Sequence, residues 1–219
     1  FLPKLKSLGI LAVDVMKKRI KIISIDFQKE FSVKGGKHYR HRPSVKFIKE
    51  IFIPFLRKNN IKIAEIISDY RQPRPGDLDD STRPGKKGYI SEIPEDVKLK
   101  NIWIKCMNSP VWVRKNIGDA NKKPGMPYQS PKMFSKWLNS TIGNPDENDE
   151  IVLIGLTIDC CVFCTAQELA WCGYKVKILE EAVDTYSGKI KEKNQILNNP
   201  PLTNWAKKII WGELKRELK

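Results

Sequence analysis

Histidine is scarce here, two residues in 219, and no apolar run approaches the roughly 18 residues that span a bilayer as a helix. The second absence leads us to expect no membrane-spanning helix within these residues. Cysteines number five, an odd count. The stretch Phe1–Lys21 also lacks a clean secretory pattern, because Asp14 interrupts the apolar segment Leu8–Val15 and no small-residue cleavage site follows. A disulfide framework is therefore disfavoured; reduced thiols and a cytoplasmic location are expected. Although the net charge is +15, there is no block of five or six like charges, and the lysines are spread over nearly every segment. Such a pattern fits a solvated basic surface better than a nucleic-acid groove. Abundant Lys and Ile beside little His or Gln also matches the composition of thermophile surfaces. The sequence has no internal repeat and no low-complexity segment.

What remains is ordinary globular composition, 41% hydrophobic and 30% charged, at a length suited to one domain. Residues 16–219 are read as that domain. Met16-Lys17-Lys18-Arg19 resembles a natural start, so residues 1–15 are either an upstream extension or an N-terminal segment covering the sheet. Apolar runs of strand length, rich in Ile and Val, occur at Ile20–Phe27, Ile61–Ser68, Asn101–Cys106, Ile151–Leu156 and Lys175–Leu179. Their continuity predicts strands buried on both faces. Helical spacing is present at Ser44–Lys58, Pro131–Asn139, Cys161–Cys172 and Thr203–Leu218. The alternation predicts an α/β, three-layer, doubly wound fold with a mostly parallel central sheet.

Ligands of such sheets bind where strands stop, at their carboxyl ends. Three ends carry chemistry: Ser24-Ile25-Asp26, Ile104-Lys105, and Gly155-Leu156-Thr157-Ile158-Asp159-Cys160-Cys161-Val162. Asp26 and Lys105 both follow apolar stretches where an unpaired charge is costly, so each needs a partner and each can serve the other. Cys161 is expected at the start of a helix, where the dipole and free N–H groups favour a thiolate. Cys160 is the alternative thiol, with Cys106, Cys164 and Cys172 read as packing.

These stretches resemble the isochorismatase-like cysteine hydrolases. The resemblance rests on Ile25-Asp26-Phe27-Gln28 with Phe31, on Ile104-Lys105, and on Gly155–Val162 continued by Thr165-Ala166 and Gly173-Tyr174, and it covers Lys21–Asp184. It implies a Rossmann-like fold, a homo-oligomer and a catalytic triad: Asp26 as base, Lys105 holding it, and Cys161 as nucleophile. It also implies an oxyanion hole from the backbone N–H groups of Thr157 and Cys161, after a cis peptide joining Leu156 and Thr157. The substrate would be a small molecule, cleaved at the C–N bond of an amide, carbamoyl or ureido group. Two departures stand out. Ile158 replaces the usual Thr before the Asp, and Asp69-Tyr70-Arg71 replaces the Asp-x-His of metal-dependent nicotinamidases, so no metal and no cofactor are expected.

Other candidates carry less. His38 and His41 have helical ligand spacing, but flanking cations favour a solvated loop. Gly35-Gly36-Lys37 reads as a turn, and Asp77, Asp79 and Asp80 as turn and cap residues of the long connection 69–99. Phe31, Trp112 and Tyr128 are candidate walls for a flat substrate, while Arg71, Arg74 and Arg83 are candidate carboxylate ligands. Isochorismate ether hydrolysis, and a non-catalytic basic binding protein on the same fold, are the alternative functions.

Overall fold

A computed structural model describes residues 19–219, so the reading of residues 1–15 falls outside the described residues. Six parallel strands form the sheet: β1 (Arg19–Ile25), β2 (Ala64–Ser68), β3 (Trp103–Lys105), β6 (Asp149–Leu156), β7 (Lys175–Asp184) and β8 (Lys207–Ile209). A short antiparallel pair, β4 (Trp112–Val113) and β5 (Tyr128–Gln129), stands apart. Every residue of β2 and β6 is buried, as continuous apolar runs demand when helices cover both faces.

The order across the sheet is β3-β2-β1-β6-β7-β8. The chain thus starts in the middle, winds to one edge, returns and winds to the other, and right-handed crossovers then place helices on opposite faces. The reversal lies between β1 and β6, and the crevice above their carboxyl ends is the switch point where such folds bind ligands.

The helices are α1 (Lys29–Ser32), α2 (Pro43–Phe47), α3 (Ile53–Lys58), α4 (Pro131–Thr141), α5 (Cys161–Trp171), α6 (Ile190–Asn198) and α7 (Trp211–Glu217). The expected helix Ser44–Lys58 is present as α2 and α3 joined by a π turn at Ile48–Phe52, where the Ile53 N–H reaches back to Ile48 O. Pro54 follows with no N–H of its own, so the wider turn gives up little.

The expected helix Thr203–Leu218 is not continuous. Leu202–Asn204 is a tight turn, β8 takes the sheet edge, and only Trp211–Glu217 is helical. With three residues, two of them exposed lysines, β8 carries no period-two signal of its own. The helix α6 was not expected, since only Lys193 and Leu197 of its nine residues are buried. Among the described residues no helix is long and apolar enough to cross a membrane.

Candidate active site

At the end of β1 the chain leaves the sheet through Asp26, whose φ of +47° lies in the left-handed region that Asp and Asn tolerate better than most residues. Its N–H is held by Ile66 O at 2.9 Å, and its side chain is fully buried. Two residues on, Gln28 fixes this end to that of β2. Its amide donates to Ser68 O (3.1 Å) and Tyr89 O (2.9 Å), and its Oε1 accepts from Ser68 N and Ser68 Oγ, both at 2.9 Å. All four hydrogen-bonding positions of the buried amide are thereby used.

Lys105, ending β3, is also fully buried. Its ammonium has three protons and three acceptors: Asp26 Oδ2 at 2.8 Å, Met107 O at 3.1 Å, and the Tyr70 hydroxyl. Tyr70 OH in turn lies 3.0 Å from Cys161 Sγ and 3.3 Å from Asp26 Oδ2. The three residues expected at strand ends therefore meet, and Tyr70, from the connection after β2, joins them. Asp26 Oδ1 is buried with no hydrogen-bond partner among the described residues.

The thiol stands on a tight turn out of β6. Gly155 has φ +114°, and a Cβ there would fall 2.0 Å from Ile25 O, so only glycine lets β6 approach β1 this closely. The Leu156–Thr157 peptide is cis. Thr157 O then accepts from Cys160 N (3.1 Å) and Val162 N (3.0 Å), and Asp159 accepts the Tyr186 N–H through both oxygens at 3.0 Å. Ile158 is buried, with its N–H on Asp184 O at 2.9 Å, so the turn is closed by backbone where a threonine contact is missing. Cys161 is the first residue of α5, and neither its N–H nor that of Thr157 donates to another group among the described residues.

Burial pushes the Cys161 thiol well above its ordinary pKa; Lys105 and the Tyr70 hydrogen bond oppose this, and Asp26 adds to it. The expected resting thiolate is thus not what these surroundings favour, because desolvation outweighs the helix dipole and the lysine. Burial also raises Tyr70, with Asp26 and Cys161 reinforcing it, so the phenol stays protonated as a donor. For Lys105 burial acts against the charge, but Asp26 and Cys161 overcome it and hold the ammonium above its usual range. The resting site is therefore an ammonium, a phenol and a thiol grouped around Asp26.

A cavity of about 170 Å³ opens over Cys161, lined also by Phe31, His38, Tyr70, Arg74, Asn108 and Tyr186. Phe31 stacks on His38 with ring centroids 5.8 Å apart and 25° between planes. His38 is no solvated residue: its ring nitrogens meet Tyr186 OH (2.9 Å) and Asp79 (2.7 Å). The other expected pocket residues lie elsewhere. Trp112 and Tyr128 sit in the β4–β5 pair, with Tyr128 on a separate surface groove. Arg83 is half-exposed and paired with Asp80, and Arg71 is tied to Asp69. Residue type marked these four as candidates but does not tell which way a side chain faces.

A metal at the end of β2 does not fit these residues. Asp69 is fully buried, accepts Arg71 through both oxygens (2.8 and 2.7 Å), and takes the Gly118 N–H at 2.9 Å. A guanidinium holds the carboxylate that a cation would need.

No family model matches the chain, and no curated protein does. Solved structures match its fold. An isochorismatase-like hydrolase from Alkaliphilus metalliredigens superposes with a TM-score of 0.57 at 17% identity, covering 93% of this chain and 99% of that one. The pyrazinamidase of Pyrococcus horikoshii, in complex with zinc, gives 0.56 at 15% identity over 88% and 99%. An N-carbamoylsarcosine amidase from Thermoplasma acidophilum gives 0.50 at 17% identity over 87% and 95%. The architecture is that of the isochorismatase-like hydrolases.

Proposed function

We propose that this chain, built on the isochorismatase-like fold, is a cysteine hydrolase that cleaves the C–N bond of a small amide, carbamoyl or ureido compound. The observation that carries the reading is the buried cluster of Asp26, Lys105, Tyr70 and Cys161 at the floor of a small cavity, beside two undirected backbone N–H groups.

Because the thiol is protonated at rest, its proton passes to Asp26 as sulfur attacks the carbonyl carbon. Lys105 keeps Asp26 in place and offsets the negative charge moving between oxygen and sulfur. The carbonyl oxygen becomes an oxyanion facing the N–H groups of Thr157 and Cys161, and each such donor is worth about 2.7–4 kcal/mol in the transition state. The C–N bond then breaks, Asp26 returns the proton to the leaving nitrogen, and an acyl thioester remains on Cys161. Water, deprotonated by Asp26, attacks the thioester and releases the acid and the thiol.

Ammonia release from a panel of small amides and ureides tests this. Turnover is expected from the wild type, with or without a chelator, and none from Cys161→Ala. Full activity in Cys161→Ala would refute the cysteine mechanism; loss on chelation restored by zinc would bring back a metal site.

A further inference from the structure

One side chain in the cavity wall has hydrogen-bond donors left over. Arg74 exposes only 3% of its side chain, and its guanidinium carbon lies 4.0 Å from the centroid of the Tyr70 ring, the ring whose hydroxyl touches Cys161. Its Nε donates to Cys106 O at 3.1 Å and its Nη2 pairs with Asp77 Oδ2 at 2.8 Å. Nη1 is buried with no partner among the described residues. Buried donors are nearly always satisfied, and leaving one unmet is costly.

Two neighbouring cations show the contrast, while a third, Arg114, also leaves its buried Nε without a partner among the described residues but does not line this cavity. Arg71 directs its five N–H groups to the two Asp69 oxygens and to the carbonyls of Asn116, Asp119 and Lys122, and Lys105 has an acceptor for each proton. Of the acids on the cavity wall, Asp79 is engaged by Lys37, Ser81 and His38. Asp77 is 41% exposed and holds Arg74 through one oxygen, its other accepting the Asp79 N–H.

We infer that Arg74 anchors a carboxylate on the substrate, so that the compounds cleaved are small amides or ureides bearing an acid group. This rests on the reading above for the scissile bond alone. An end-on carboxylate bridging Nη1 and Nη2 meets the unsatisfied donors in the fork geometry guanidinium favours, and it displaces Asp77 toward solvent. Phe31 and His38, whose rings stack on each other, line the same cavity as Arg74 and Cys161.

Binding to Cys161→Ala, measured by calorimetry, separates this claim from the chemistry. Malonamate, succinamate and glutaramate, each beside its methyl ester, serve as ligands. At least one acid is expected to bind about 10-fold or more tighter than its ester, the scale of a charged hydrogen bond. Adding Arg74→Gln should bring that ratio close to one, and Arg74→Lys, which retains the charge, should keep part of it and reports in its place if the glutamine variant does not fold. Equal binding of acids and esters, no binding by any acid, or an unchanged ratio in the Arg74 variants overturns the inference. Wild-type turnover of acid and ester alike would leave the cysteine chemistry standing without Arg74's role; acid binding with no turnover would do the reverse.

Discussion

Tyr70 has the most to explain at the scale of single residues, because its hydroxyl touches three reacting or charged groups at once. With Lys105 donating to its oxygen, its own proton is free for Cys161 Sγ or Asp26 Oδ2. A donor to sulfur favours the thiolate, so Tyr70→Phe should move the pH profile of Cys161 alkylation by iodoacetamide further upward, from a thiol that burial has already raised. Turnover should fall by about 10- to 100-fold, the range of a hydrogen bond to a charged group, while Lys105 loses one acceptor at a cost of about 1–3 kcal/mol in stability. A lower melting temperature with an unmoved alkylation profile would make Tyr70 a packing residue only. Asp26 and Lys105 were legible from the sequence because each stands at the end of a recognisable strand, and Cys161 because it lies in the Gly155–Val162 turn that follows one. Tyr70 was not: it lies inside the stretch Asp69-Tyr70-Arg71, which attracts attention for the histidine it lacks, and its role depends on β2 ending beside β1. His38 was hidden for a similar reason, since its cationic neighbours suggest solvent and only Asp79, Tyr186 and Phe31 bring it to the cavity wall.

Among elements, the ends of β1 and β2 must stay in register for Asp26 and Tyr70 to meet, and Gln28 is the link. Gln28→Ala leaves the Ser68 N–H and carbonyl without their buried partner, so a loss of about 2–3 kcal/mol in unfolding free energy is expected, read by denaturant titration. Turnover should drop more than folding alone explains, because the two strand ends lose their tie; unchanged stability and activity would show that other contacts set the register. Arg42 works alike behind two cavity-lining residues, its guanidinium holding Phe31 O (2.8 Å) and Tyr186 O (2.7 Å) together with Thr185 O (2.9 Å). The long, buried elements were legible because β1, β2 and β6 carry runs rich in Ile and Val, whereas for β7 only Lys175–Leu179 stands out and the strand continues through Glu180 and Glu181 to Asp184. The C-terminal region was not, since β8 exists only by pairing with β7, and α6 is polar enough to pass for a connection.

For the molecule as a whole, strand order does what no single motif can. By reversing the winding between β1 and β6 it puts the Asp26 turn and the Cys161 turn side by side, and β3, two strands away, delivers Lys105 beneath them. The surplus of positive charge, by contrast, is spread over nearly every segment of the sequence. The central claim is that Cys161 carries the acyl group during turnover. Rapid acid quench of the wild type with a substrate found in the amide screen, followed by peptide mass spectrometry, tests it most directly. The account predicts an acyl adduct on the peptide containing Cys161, located on that sulfur and absent from Cys161→Ala. An adduct on Cys160, or turnover with no adduct at any quench time together with an active Cys161→Ala enzyme, would contradict it.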